Sequence, residues 1–203
     1  MIKILLIISI SYLLGSIPFS FLFARFKGVD PRQTGTKNVG ATNALVIAGP
    51  LIGALALIGD IAKGYLAVQL ARYFNLPDLG IALCGLAAVI GHDFSLFLKF
   101  SGGKGVATTG GVLLALGPLF ATLVLLLWII MMIVIRYFIP STILTLTLLP
   151  LLMWLSSWPG EFILFAFAAA LLAVYTHWED LARFFAGNEL TIQEATAKHL
   201  KKS

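Results

Sequence analysis

The chain has 203 residues, 60% of them hydrophobic and 11% charged, with a formal net charge of +5. A soluble domain carries about 25% charged residues, so this composition excludes a water-soluble globule and indicates an integral membrane protein. The single cysteine excludes an internal disulfide. In such a chain an excess of Lys and Arg marks cytoplasmic loops rather than nucleic-acid binding.

A span needs about 20 apolar residues to cross the hydrocarbon of a bilayer. The opening run, MIKILLIISISYLLGSIPFSFLFA, is longer than the apolar region of about 7–15 residues in a secretory signal, and is expected to be an uncleaved first span over 2–24. The loop after it ends in TGTKNVGATN, Thr34 to Asn43. Thr42 or Asn43 is placed to cap the following helix. The hydroxyls, amides and exposed backbone here, with the charge of Lys37, suit a polyol or a phosphate. Plain turn-and-cap chemistry explains the same residues.

The second span, 44–72, carries Asp60 and Lys63, three apart and so expected to pair on one helix face. The third, 79–98, ends in GHDFSLFLKF. His92 and Asp93 are adjacent, point about 100° apart on a helix, and cannot form a dyad on one face. Next comes KFSGGKGVATTGG, Lys99 to Gly111. Glycines allow successive backbone N–H groups to line one concavity, a helix N-terminus follows, and Lys104 adds a full charge. Thr108 and Thr109 add hydroxyls. The stretch suits a phosphate, yet it is not a nucleotide P-loop, because Leu98 and Gly105 stand where that pattern needs Gly and Ser/Thr. A tight turn carrying one positive-inside lysine is the plainer alternative.

The apolar run from Val106 to Ile135 contains Gly117-Pro118 and is expected to split there into a short helix (106–116) and a full one (118–135). Spans at 139–157 and 161–177 complete a set of seven, one of them short. With seven, Arg25, Lys37, Lys99, Lys104, Arg136 and Arg183 share one side and only Lys3 and Arg72 lie on the other. This distribution puts the N-terminus outside and the C-terminus in the cytoplasm. Six spans segregate the charges less well. The last span runs into YTHWEDLARFFAGNE, where His177 and Asp180 are expected on one helix face and Glu179 and Arg183 as an i,i+4 pair. His177 is the best general base by residue type. Residues 1–189 are expected to form the membrane domain and 190–203 a polar cytoplasmic tail.

Several chemistries are absent. No G-x-S-x-G elbow occurs, and neither a metal site nor a cofactor is expected from three histidines and one cysteine. The H-x-x-x-x-D pair of common acyl-CoA acyltransferases fails, since Phe97 follows His92 by five and Ala182 follows His177 by five.

Taken in order, GSIPFSFLFARFKGVDPRQTG, NVGATN, GDIAKG, GHDFSLFLKFSGGKGVAT, RYFIPST and HWEDLARFFAGNE resemble the bacterial acyl-phosphate:glycerol-3-phosphate acyltransferases along nearly the whole chain. The resemblance implies seven helices in the bacterial cytoplasmic membrane with a site at the cytoplasmic face. It also implies acyl transfer from an acyl phosphate to the 1-hydroxyl of sn-glycerol 3-phosphate, yielding lysophosphatidate and inorganic phosphate, and a functional link to an enzyme that makes acyl phosphate. By this resemblance Lys104, His177 and Asp180 are the catalytic candidates. Phosphate and substrate contacts fall on Thr36, Lys37, Asn38, Gly40, Thr42 and Asn43, on Gly102, Gly103, Gly105 and Thr108, and on Thr142, Arg183 and Asn188. The hydroxyl proton would pass to His177 or to a phosphate oxygen of the substrate. The chain departs from the family pattern at Thr36-Lys37 (usually Ser-Gly), Val46 (Arg), Ile139 and Thr142 (both Ser) and Asp180 (Asn). Two other readings stay open: a paralogue with another phosphorylated acceptor, and a non-catalytic lipid-binding protein or transporter.

Overall fold

A computed structural model describes residues 1–191, 193 and 194, which are all-helical apart from turns and loops. Most of the expected tail lies outside the described residues. The helices are α1 (Ile2–Ser16), α2 (Phe19–Phe26), α3 (Ala41–Ala48), α4 (Pro50–Tyr73), α5 (Asp78–Asp93), α6 (Val106–Leu116), α7 (Pro118–Ile135), α8 (Phe138–Leu155), α9 (Gly160–Thr176) and α10 (Trp178–Phe185), with a 3-10 turn at Leu96–Leu98.

By length and composition, five spans are long and apolar enough to cross a membrane: Ile2–Phe26, Pro50–Tyr73, Asp78–Leu98, Pro118–Ile135 and Phe138–Leu155. A sixth arises if α9 and α10, bent by 62°, count as one. The expected short helix at 106–116 is present as α6, and the break at Gly117-Pro118 falls where proline requires it.

Two expected spans are interrupted. The first breaks between α1 and α2 at Ile17-Pro18, because proline offers no amide to the turn before it. The second is divided at Gly49-Pro50, with Pro50 opening α4 at a position where the missing N–H costs nothing. The span proper therefore starts at residue 50, and α3 is a separate short helix.

The chain divides into two compact units, Met1–Pro118 and Leu119–Ser203. In the first, α1 packs on α5, α4 on α6, and α3 on α4. The contacts are made by glycines. A Cβ on Gly15 would strike the Ala88 carbonyl of α5, and one on Gly91 the Tyr12 carbonyl of α1. Likewise Gly64 of α4 lies on the Thr108 carbonyl of α6, and Gly111 of α6 on the Ile61 carbonyl of α4. Lipid tails are as apolar as leucine, so helices in a bilayer gain by close backbone approach rather than by hiding oily side chains. In the second unit α8 packs on α9, and α10 lies against both.

The adjacent pair Gly110 and Gly111 gives a direct test. Nothing lies within 4 Å of a Cβ at Gly110, so Gly110→Ala should hold or raise stability by up to about 1 kcal/mol through helix propensity. Gly111→Ala must push α4 and α6 apart and should cost about 1–3 kcal/mol. Thermal unfolding of both variants in detergent reads the difference.

Candidate functional site

In the first unit the loop between α2 and α3 is organised by Asn43. This residue is 1% exposed. Its Nδ2 donates to the carbonyls of Pro31 at 2.9 Å, Thr34 at 3.1 Å and Asn38 at 2.8 Å, and its Oδ1 accepts the Thr36 N–H at 2.9 Å. The amide is thus committed to shaping the loop. Neither Asn43 nor Thr42 caps α3, whose N-cap is Gly40 with no side-chain bond. Capping was expected from residue type; the loop's unpaired carbonyls claim Asn43 instead. Thr36, Lys37 and Thr42 are exposed, and Asn38 and Gly40 half-buried.

Lys37 has φ +60°, the left-handed region that glycine enters freely and other residues at a cost. At the start of the loop Arg32 bonds Asp30 through Nε at 3.0 Å and Nη2 at 2.8 Å and holds that carboxyl down to about 2.

The loop between α5 and α6 wraps the end of α5. Gly102 N–H donates to the Asp93 carbonyl at 2.9 Å and Gly103 N–H to the His92 carbonyl at 3.0 Å. Those two amides are therefore not turned outward as an anion nest. Gly102 is needed because a Cβ would collide with the His92 carbonyl, and Gly103 because it would collide with the His92 ring. Gly105, at φ +71°, is the N-cap of α6 and faces the Asp93 carboxylate. The remaining anion-binding capacity lies in Lys104, half-buried, and in the first-turn amides of α6, which no helix satisfies internally. The Thr108 hydroxyl and both Asp93 carboxylate oxygens are buried without hydrogen-bond partners.

Beneath this loop lies a charged cluster. Asp60 Oδ1 is 3.0 Å from Lys63 Nζ, as expected, and 3.4 Å from His92 Nδ1. Ser20 Oγ donates to Asp60 Oδ2 at 3.3 Å, and Lys63 Nζ donates to the Ile17 carbonyl at 3.0 Å. That carbonyl lies at the break between α1 and α2 and also accepts the Phe19 N–H at 3.2 Å. Neither the role of Asn43 nor the approach of His92 to Asp60 is expected from sequence. The signal for the second was a serine, Ser20, inside an apolar run together with a histidine at the end of a span.

In the second unit His177 is 1% exposed and closes α9. Its Nδ1 lies 2.8 Å from the Ala173 carbonyl. A carbonyl only accepts, so Nδ1 carries a proton, and in the neutral ring Nε2 is the nitrogen a general base would use. His177 is also the N-cap of α10, with Asp180 three residues on. Asp180 is buried and pairs with Arg183, which also lies 3.4 Å from Glu189. The expected Glu179–Arg183 pair is replaced by these two, because Asp180 is the carboxylate on the buried side of α10. Thr142 is buried, donates to the Phe138 carbonyl at 2.8 Å and accepts from Trp128 Nε1 at 3.0 Å. Asn188 is exposed, and its N–H donates to the Arg183 carbonyl at 2.9 Å. Among the described residues no group of three His, Cys, Asp or Glu side chains is placed to hold a metal.

Helices long and apolar enough to span a bilayer, with glycine, lysine and asparagine loops between them, define a polytopic membrane protein. Residues 5–187 match the family described as glycerol-3-phosphate acyltransferase, and the chain belongs to that family. It is 41% identical to the glycerol-3-phosphate acyltransferase of Geotalea daltonii over 187 residues, 92% of this chain and 96% of that one. It is 40% identical to that of Desulforudis audaxviator, over 92% and 94% of the two chains. The fold matches the crystal structure of PlsY (YgiH), an integral membrane glycerol 3-phosphate acyltransferase, in its glycerol 3-phosphate form. That match has a TM-score of 0.88 and 34% identity, covering 94% of this chain and 96% of that one. The lysophosphatidic acid form matches with a TM-score of 0.86 and 33% identity.

Two substitutions test the first loop. Asn43→Ala should strand a buried N–H and three carbonyls and lower stability by about 3 kcal/mol. Lys37→Gly should relieve the left-handed cost, offset in part by glycine's chain entropy, for a net gain of about 0.5–1 kcal/mol. Both are read as unfolding midpoints in detergent.

Proposed function

We propose that this chain moves an acyl group from an acyl phosphate to the 1-hydroxyl of sn-glycerol 3-phosphate, releasing lysophosphatidate and inorganic phosphate. The observation that carries the reading is the likeness, at 34% identity and a TM-score of 0.88, to a structure described as a glycerol 3-phosphate form. In the reaction the substrate hydroxyl oxygen forms an ester bond to the acyl carbon. The bond from that carbon to the phosphate oxygen breaks, and phosphate leaves with its electron pair.

An acyl phosphate is already activated, so the protein's work is placement and charge neutralisation. Lys104 and the α6 N-terminus hold phosphate. The exposed residues Thr36, Lys37 and Thr42, with Asn38 and Gly40, bind the polar ends of the substrates. His177, protonated on Nδ1, offers Nε2 to the hydroxyl proton; a phosphate oxygen of the donor is the other acceptor. Arg183 neutralises Asp180, so the carboxylate that stands at the family's Asn position need not repel phosphate. The seventh span is α6, and the chain lies in the bacterial cytoplasmic membrane with its N-terminus outside and both loops facing the cytoplasm. An enzyme that forms acyl phosphate supplies the donor.

Purified protein in lipid, given a long-chain acyl phosphate, should release inorganic phosphate only when glycerol 3-phosphate is present, with lysophosphatidate as co-product. Acyl-CoA should not replace the donor. Lys104→Ala should lower turnover by about a hundredfold or more, the scale of one lost transition-state charge contact, with the unfolding midpoint kept. Acceptor-independent release, or unchanged turnover in Lys104→Ala, would overturn the assignment of substrate or of Lys104 respectively.

A further inference from the structure

We infer that His92 is a positioning residue for Lys104, and that the buried Asp60–Lys63 pair serves to hold the His92 ring in place. The inference rests on the proposed role of Lys104 as the phosphate contact.

His92 sits in the last turn of α5 and is 6% exposed. The two edges of its ring face in different directions. Nδ1 faces α4, 3.4 Å from Asp60 Oδ1. Nε2 faces the glycine loop: it occupies the space that a Cβ on Gly103 would need. The Val39 carbonyl, from the first loop, closes the same space from the other side, 2.8 Å from that Cβ position. Gly103 is therefore held between the imidazole and the first loop, with its own N–H bonded to the His92 carbonyl. Lys104 is the next residue.

The charges behind the ring are placed for this purpose. Asp60 and Lys63 are 1% and 2% exposed, inside a span, where charged groups are costly and mark function more often than they add stability. As a plain helix tie, an i,i+3 pair within α4 would return little. Here Asp60 also reaches α2 through Ser20 and α5 through His92, and Lys63 donates to the Ile17 carbonyl at the α1–α2 break. One carboxylate thus fixes the ring against three helices. The ring in turn sets where the Gly103–Lys104 peptide lies, at the point where the two candidate substrate loops touch.

Two substitutions separate positioning from simple structural support. Asn carries an amide nitrogen at the place of Nδ1 and keeps the Asp60 contact, but leaves the Gly103 side empty. Gln carries one at the place of Nε2 and refills it. His92→Asn is expected to lower kcat on the order of tenfold, because Lys104 is placed as a transition-state charge contact, with KM for glycerol 3-phosphate changed less; His92→Gln is expected to restore it.

A second readout does not depend on turnover. Covalent labelling of amines, followed by peptide mass spectrometry, should show the Lys104 rate changed severalfold in His92→Asn and restored in His92→Gln, with Lys99 unaffected. If wild-type protein fails to turn over glycerol 3-phosphate yet Lys104 labelling follows this pattern, the positioning stands and the substrate assignment falls. If Lys104 labelling and kcat are the same in His92→Asn as in wild type, or if His92→Gln is no better than His92→Asn, His92 only ties helices and the inference is overturned.

Discussion

A charge placed in hydrocarbon must find its partner within the protein, because no water is there to answer it. In this chain that constraint falls on Asp60 and Lys63, and much of the first unit follows from meeting it. Lys63 needs an acceptor besides Asp60, and the Ile17 carbonyl, at the break before Pro18, supplies one while also accepting the Phe19 N–H. Asp60 accepts a hydrogen bond from Ser20, and the edge of the His92 ring stands 3.4 Å from its other oxygen. The break in the first span and the serine beyond it are thus parts of one solution. They bring α2, α4 and α5 together directly beneath the two polar loops.

The same setting explains the role that glycine takes in one short stretch. In SGGKG the glycines suggest a concavity of amides for an anion. Two of those amides are bonded to carbonyls at the end of α5, and their lack of side chains lets the loop lie flat on His92. What remains for an anion is Lys104 and the start of α6. Close packing, rather than an open nest, is therefore what fixes this loop. The departure at Lys37 has a similar origin in backbone shape: its φ of +60° is one that the glycine of the family pattern occupies without strain.

Much of the architecture was legible in the sequence because hydrophobic length and proline position are local signals. The short helix at 106–116, the break at Gly117-Pro118 and the Asp60–Lys63 pair all lie within a few residues of their cause. The family was legible because its motifs fell in order along the chain. What escaped were choices settled by distant partners. Asn43 was available as a cap, but Pro31, Thr34 and Asn38 presented carbonyls that α3 did not. Arg183 had Glu179 four residues away, yet paired with the carboxylate on the buried side of its helix and with Glu189. Gly49-Pro50 was visible as a dipeptide, but only the packing of α3 on α4 shows that the chain turns there rather than continuing straight.

The glycine seam between α4 and α6 has a consequence for how the site behaves as conditions change. Where Gly64 meets the Thr108 carbonyl and Gly111 the Ile61 carbonyl, main chain rests on main chain with no long side chain between. Such a joint has no rotamers to order when it forms and none to populate when it is warmed. A contact built of leucines would soften by rotamer hopping as the surrounding lipid becomes more fluid. This one can only stay closed or come apart. The start of α6, and Lys104 just before it, is therefore carried on a stiff mount whose position should vary little with the fluidity of the membrane around it.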